Sequence, residues 1–256
     1  MSTRILAAAL VATLLPMGAA AITTSGASAT DVRGGEGARA GDATIGVRVI
    51  GRSVRGRKIR AYHLGQPGKR KVVLIATMHG DEPATRQILV SLRNGPPIRG
   101  LNLWVVPTYN PDGLARHTRK NAHGIDLNRN YPYRWANLDG SYESGPRPAS
   151  EPETRAMMRF LGDVRPSRIL SFHQPLHGVD TDTKLPKFAR RAAHKLNLPA
   201  KVFDCGGVCH GTMTMWYNHR YPGGAVTVEY GAHPPRHLMR VRAPRQILSI
   251  WGARRG

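Results

Sequence analysis

His79-Gly80-Asp81-Glu82 offers an imidazole and a carboxylate three positions apart, directly after the apolar run Val72-Val73-Leu74-Ile75-Ala76 and before Pro83. That order predicts a buried strand, a tight turn and a helix with proline in its first turn. A turn at a strand end can aim both groups at one point. One more nitrogen then completes a three-ligand zinc site with an open fourth position, the form used for hydrolysis. An H-x-x-E pair alone is equally compatible with a polar loop, so the rest of the chain has to decide.

Two further apolar runs end in ionisable residues: Arg168 to Phe172 runs into His173, and Ala225-Val226-Thr227-Val228 into Glu229. In open α/β sheets, sites form beyond the carboxyl ends of strands. His79, Glu82 and His173 together would hold one zinc ion per chain and leave it one net positive charge. Glu229, not a ligand in this reading, is the candidate to take the proton of the attacking water and pass it to a leaving amine.

These groups need a scaffold. Thr44 to Ile50 and Lys58 to Leu64 read as neighbouring strands, Lys71 to Thr77 as the buried one, and Leu101 to Val106 as another. Pro83 to Arg93 places Ala84, Ile88, Leu89 and Leu92 on one helical face. Asn110-Pro111-Asp112-Gly113 signals a turn. Ser150-Glu151-Pro152-Glu153 has a capping-box pattern and predicts a helix carrying Met157, Phe160 and Leu161, closed by Gly162. A helix over Lys187 to Leu196, a strand at Val202-Phe203 and a mostly helical tail from His237 to Trp251, interrupted near Pro244, complete the reading. Strands alternating with helices predict a single-domain α/β/α sandwich with a mixed, mostly parallel central sheet.

Residues 1–29 read as a signal peptide: Arg4, an apolar stretch from Ile5 to Leu15, then small residues. Cleavage motifs stand at Ala19-Ala20-Ala21 and Ala27-Ser28-Ala29, the second preferred. An uncleaved anchor is the rival, but the run is short for a membrane span. Residues 30–43 read as a flexible linker and 44–256 as the catalytic domain. The expected product is secreted or extracytoplasmic, monomeric, and without a membrane span once the signal is removed.

With 38 Lys and Arg against 16 Asp and Glu, the chain carries a formal charge of +22. The excess favours anionic surroundings. For an exported chain an anionic cell-wall polymer suits it better than nucleic acid, for which no binding motif is present; a merely arginine-rich surface accounts for it as well. Cys205 and Cys209 can close a small disulfide loop eased by Gly206 and Gly207. The rival is a Cys-Cys-His cluster with His210, which lacks a convincing fourth ligand.

From Lys71 to Gly231 the ordered motifs resemble the zinc carboxypeptidases of the carboxypeptidase A superfamily. His79-Gly80-Asp81-Glu82 is similar to the family's first ligand pair, Ser171-Phe172-His173 to the segment of the third ligand, and Thr227-Val228-Glu229-Tyr230 to that of the general base. Gly124-Ile125-Asp126-Leu127-Asn128-Arg129-Asn130 resembles the substrate-carboxylate motif. The resemblance implies that Asn128 and Arg129 bind a substrate carboxylate and that Asp126 accepts the outer N–H of the first zinc-bound histidine. Thr118-Arg119-Lys120 implies Arg119 as the group that meets the developing oxyanion, with Arg116 a nearby competitor.

The run from Asn110 to Arg116 and on to Pro132 is similar to bacterial murein peptide amidases. This implies a peptidoglycan-derived substrate cleaved at a γ-D-glutamyl-diaminopimelate bond. Two other readings stand beside it: a carboxypeptidase releasing neutral C-terminal residues from ordinary peptides, and a wall-binding relative without turnover. The family's mobile tyrosine has no sure counterpart; Tyr217 and Tyr221 lie in the right interval in an unfamiliar context. Between Cys205 and Val228 there is no Asp or Glu. A neutral pocket wall of Thr212, Met213, Thr214 and Met215 is therefore expected, with His219 and Arg220 free to meet an extra carboxylate, and specificity for basic residues is not.

Overall fold

Alternation decides which way the central strands face. In the computed structural model, which describes residues 43–256, β3 (Lys71–Ala76) is buried on both faces. Val72 and Leu74 join one apolar cluster, and Val73 and Ile75 the other. β5 (Asn102–Val106) and β6 (Arg168–His173) split the same way, as a sheet covered by helices on both sides requires.

In chain order, β1 (Thr44–Arg52) and β2 (Lys58–Gly65) pair antiparallel, followed by β3, α1 (Arg86–Asn94), the two-residue β4 (Ile98–Arg99) and β5. Then come α2 (Pro111–Arg116), α3 (Pro152–Val164), β6, β7 (Leu176–Asp180) and α4 (Pro186–Leu196). The chain closes through β8 (Ala200–Lys201), α5 (Met213–Arg220), β9 (Gly224–Gly231), α6 (Ala243–Ser249) and β10 (Arg254–Arg255), the last paired with β4. The main sheet has eight strands in the order β1-β2-β5-β3-β6-β9-β7-β8. Its centre, β5-β3-β6-β9, is parallel throughout. The described residues form one mixed α/β/α sandwich. The signal-peptide and linker assignments fall, except for Ala43, outside the described residues, and among those described no helix is long and apolar enough to cross a membrane.

Several local expectations are corrected. The first helix starts at Arg86, not Pro83, because the preceding turn stays tied to the site: Thr85 Oγ1 donates to Glu82 O, and the Ala84 N–H to Gln174 Oε1. Asn110 does begin a turn, but Pro111 carries it into α2, with Asn110 Oδ1 accepting the Gly113 N–H at 2.9 Å as an N-cap. Ser150 does not cap α3. It accepts from Asn130 and donates to Glu151, the N-cap residue, and Glu151 and Glu153 both receive Asn121 Nδ2. Gly162 does not end that helix, which runs to Val164 and stops at left-handed Arg165.

Further along, the short strand is Ala200–Lys201, and Val202 lies exposed outside it. Pro244 sits in the first turn of α6, directly after a wide turn over Leu238–Arg242, so it continues the helical tail instead of interrupting it. Strand β7 and helix α5 were not anticipated. Helix α5 packs Met213, Trp216 and Tyr217 inward from a stretch with little apolar periodicity.

Parallel β3 and β6 and their neighbour β9 all discharge their C-terminal ends at one edge, and the chain leaving β3 is pinned there. Gly80 donates its N–H to Thr118 O at 3.0 Å and lies against the backbone of Gly113. A Cβ at Gly80 would sit 1.9 Å from the Gly113 carbonyl carbon. Gly80→Ala is expected to destabilise the fold by about 1–3 kcal/mol and to lower metal content. Thermal unfolding together with metal analysis of the purified variant checks both.

Candidate active site

Thr77 turns the chain out of β3 with a left-handed backbone (φ 56°), held by its Oγ1 donating to Pro107 O. A β-branched residue rarely adopts that conformation, and here it swings His79 back over the sheet edge. His173 ends β6 opposite Glu229 of β9 in the parallel register, and Glu82 follows from the His79 turn. All four side chains are buried.

Glu82 bridges the two imidazoles. Its Oε1 lies 2.7 Å from His79 Nδ1 and its Oε2 3.0 Å from His173 Nδ1, while the two Nδ1 atoms are 3.3 Å apart. The opposite ring nitrogens are held from behind: His79 Nε2 by Asp126 Oδ1 at 3.0 Å and His173 Nε2 by Ser171 Oγ at 3.0 Å. With Asp126 accepting the Nε2–H of His79, a lone pair on Nδ1 faces the Glu82 carboxylate. Electron-rich atoms this close need a cation among them. The donor atoms of the three residues all lie within 4.8 Å of one another, and two nitrogens with one carboxylate oxygen are a fitting set for zinc.

In the metal-free protein a proton meets the same demand. Burial pulls the His79 pKa down, but Glu82 and Asp126 outweigh it and hold the imidazole at about 9. Glu82, pushed up by burial, is brought to about 2 by His79 and His173. Metal binding at neutral pH would therefore displace that proton.

Asp126 is the hub behind the site. Burial would raise its pKa, yet His79, Arg119 and Arg129 hold it well below the ordinary carboxylate range. Its Oδ2 receives Arg119 Nε at 2.9 Å and lies 2.8 Å from the second guanidinium nitrogen, and its Oδ1 accepts the Asn128 N–H at 2.8 Å. This leaves one Arg119 nitrogen 3.4 Å from His79 Nδ1, beside the metal position. Arg116, the competitor, points to solvent, because His117 adopts a left-handed conformation (φ 52°) and reverses the chain between them.

A cavity of about 750 Å³ opens over these groups. His79, Glu82, His173, Arg119, Asn128, Arg129 and Glu229 all line it, with Asp126 beneath. Arg119 and Arg129 flank the Tyr142 ring at 5.4 and 4.9 Å, and Arg129 Nε is buried without a hydrogen-bond partner among the described residues. That end of the cavity is built for an anion. Glu229 Oε2 accepts the Leu176 N–H at 3.3 Å, and burial, reinforced by Glu82 and opposed by His173, raises its pKa. A raised carboxyl beside a metal position suits proton transfer.

Cys205 and Cys209 are joined in a disulfide, Cα atoms 5.4 Å apart, and line the cavity wall; the Cys-Cys-His cluster is excluded, and His210 instead faces Arg134 O. Thr212, Thr214, Met215 and His219 line the wall as expected, but Met213 and Arg220 do not: Met213 is buried in the core and Arg220 is exposed at the far end of α5. Tyr217 is buried with its hydroxyl on Pro166 O at 2.6 Å, and Tyr221 packs against it, so neither reaches the cavity.

The neutral-pocket expectation fails. Asp180, Asp182 and Asp204 also line the cavity, from outside the stretch between Cys205 and Val228, the first two at and just beyond the end of β7. Burial, with repulsion from Asp182 adding to it, raises Asp180 to about 6.

Comparison with known proteins agrees with this geometry. Residues 42–181 match the Peptidase_M14 family, described as Zinc carboxypeptidase. This chain belongs to the zinc carboxypeptidase family. Zinc carboxypeptidases are zinc-dependent hydrolases, and His79, Glu82 and His173 form a group compatible with one metal ion. Murein peptide amidase A of Escherichia coli K12 is 30% identical over 187 residues, spanning 67% of this chain and 76% of that protein. The crystal structure of murein-tripeptide amidase MpaA from Escherichia coli O157 superposes with a TM-score of 0.65 at 25% identity, over 80% of this chain and 91% of that one. Carboxypeptidase A from Helicoverpa armigera shares the fold, with a TM-score of 0.65 at 16% identity over 81% and 67% of the two chains.

Asp126→Asn is expected to lower zinc affinity by about 10–100-fold with the fold retained. Competition against a chromophoric chelator measures it.

Proposed function

We propose that this chain is an exported zinc peptidase that hydrolyses an amide bond beside a free carboxylate in peptidoglycan peptides, of the γ-D-glutamyl-diaminopimelate type. The observation that carries this reading is that one cavity is lined both by cations beside the metal position, Arg119 and Arg129, and by the acids Asp180 and Asp182. Diaminopimelate suits that combination, because one residue brings both carboxylates and a free ammonium. The similarity to murein peptide amidases supports the same substrate class, and the charge of +22 favours work on an anionic wall.

His79, Glu82 and His173 would hold zinc, which supplies a Lewis acid for the scissile carbonyl and acidifies the attacking water. Asn128 and Arg129 fix the substrate carboxylate, with the planar guanidinium matching its two oxygens. Glu229 accepts the water proton, keeps it within the desolvated site, and delivers it to the departing nitrogen. Arg119, held in place by Asp126, presents its free nitrogen to the oxygen on which negative charge develops. The ammonium of the substrate residue meets Asp180.

Glu229→Gln is expected to retain zinc and lose about 10²–10⁴-fold in turnover. Near-normal turnover would remove Glu229 from its role. Digestion of purified wall peptides, with products identified by mass, should release a diaminopimelate-containing fragment. Release only of neutral C-terminal residues from ordinary peptides would favour the plain carboxypeptidase reading instead.

The raised Asp180 carboxyl gives a pH signature. Protonation removes the charge that meets the ammonium, so kcat/KM for diaminopimelate substrates should fall as pH drops through about 6. Asp180→Asn should lower kcat/KM at neutral pH and remove that component of the profile. An unchanged profile in the variant would sever Asp180 from substrate recognition.

A further inference from the structure

A second cavity, of about 570 Å³, lies away from the zinc ligands and is ringed by Arg70, Arg168, Lys184, Lys187 and Arg191, with no acidic residue in its lining. Arg70 precedes β3 and Arg168 opens β6, so the cavity sits at the N-terminal ends of the central strands. His173 closes the same β6, about 16 Å further along at strand rise. Lys184 also lines the active-site cavity, its Nζ donating to Asn218 O and Tyr221 O.

Leu185, Pro186 and Phe188 supply the remainder of the lining, all apolar. The Arg168 guanidinium lies 5.3 Å from the Phe188 ring centroid, and its Nε is buried without a hydrogen-bond partner among the described residues. Burial lowers the Arg168 pKa, and the charges of Arg70 and Arg191 lower it further. Like charges have thus been gathered around an apolar floor, and Arg168 is disfavoured by its two arginine neighbours. An anion seated among them relieves that repulsion.

Several cations and arginine forks match a group with more than one charge and several acceptor oxygens. The apolar floor matches a ring or hydrocarbon attached to it. The volume is within the range of small-molecule sites. We infer that this cavity is a binding site for a phosphate ester bearing an apolar or aromatic group, separate from the hydrolytic centre. It does not rest on the substrate proposed for that centre.

The test uses the full zinc-loaded chain, phenyl phosphate and inorganic phosphate as soluble probes, and vesicles of equimolar phosphatidylcholine and phosphatidic acid. Arg70→Gln with Lys187→Gln removes two exposed cations of the cavity. Arg236→Gln with Arg245→Gln removes two exposed cations elsewhere as a control for bulk charge. Phenyl phosphate should bind the parent protein more tightly than inorganic phosphate, and the cavity variant about tenfold or more weakly, with the control variant unaffected. Vesicle binding lost in the cavity variant alone identifies a lipid headgroup as the source; soluble binding without vesicle binding identifies a free ester. Equal weakening in both variants, no preference for the phenyl ester, or binding of none of the probes overturns the assignment. A matching fall in kcat/KM for peptides in the cavity variant also overturns it, because the cavity would then be an extension of the catalytic cleft.

Discussion

A single buried carboxylate sets the geometry of the catalytic edge. Asp126 is fully shielded from solvent yet ionised, because a histidine, a guanidinium and a backbone N–H converge on its two oxygens. A buried charge left without such partners costs several kcal/mol, so each partner is fixed as firmly as the carboxylate itself. The consequence is that His79, Arg119 and Asn128, drawn from three separate stretches of chain, share one coordinate frame. The loop that carries Asp126 is in turn tied down by Asn121, whose amide donates to Glu151 and Glu153 at the start of α3. Position at the metal is thus referred back through polar contacts to a helix on the sheet's face.

Much of this was legible in the chain. The apolar runs before His79, His173 and Glu229 specify buried parallel strands, and parallel strands place their C-terminal ends together whatever the loops do. What could not be read were features set by contacts distant in sequence. Strand β7 turns back antiparallel beside β9 and brings Asp180 and Asp182 to a cavity whose other wall comes from residues 203 to 219. Those acids come from outside the Cys205–Val228 segment that forms the opposite wall, and only strand pairing brings them there. Arg116 and Arg119 have the same chemistry and differ only in a left-handed residue between them, which no side-chain pattern announces. Helix α5 lacks a clear apolar stripe because it buries aromatic residues on one side and lends Thr214, Met215 and Asn218 to the cavity on the other.

The distribution of charge gives the molecule a direction. With basic residues in such excess, acids are few, and among the described ones Glu82, Glu229, Asp126, Asp180, Asp182 and Asp204 line the catalytic cavity or lie beneath it, while Glu151 and Glu153 support the 121–126 loop. The long-range field favours anions around the protein as a whole, while the catalytic cavity itself presents both signs of charge.

The bridge between Cys205 and Cys209 closes a loop of five residues, worth about 2 kcal/mol in the chain-entropy account and less than half of what a long-range bridge supplies. None of the sheet strands lies inside that loop. Because both sulfurs line the cavity, its influence is on the shape of one wall, between Phe203 and the α5 residues. A bridge so short and so placed shapes the mouth of the cavity more than it holds the scaffold together.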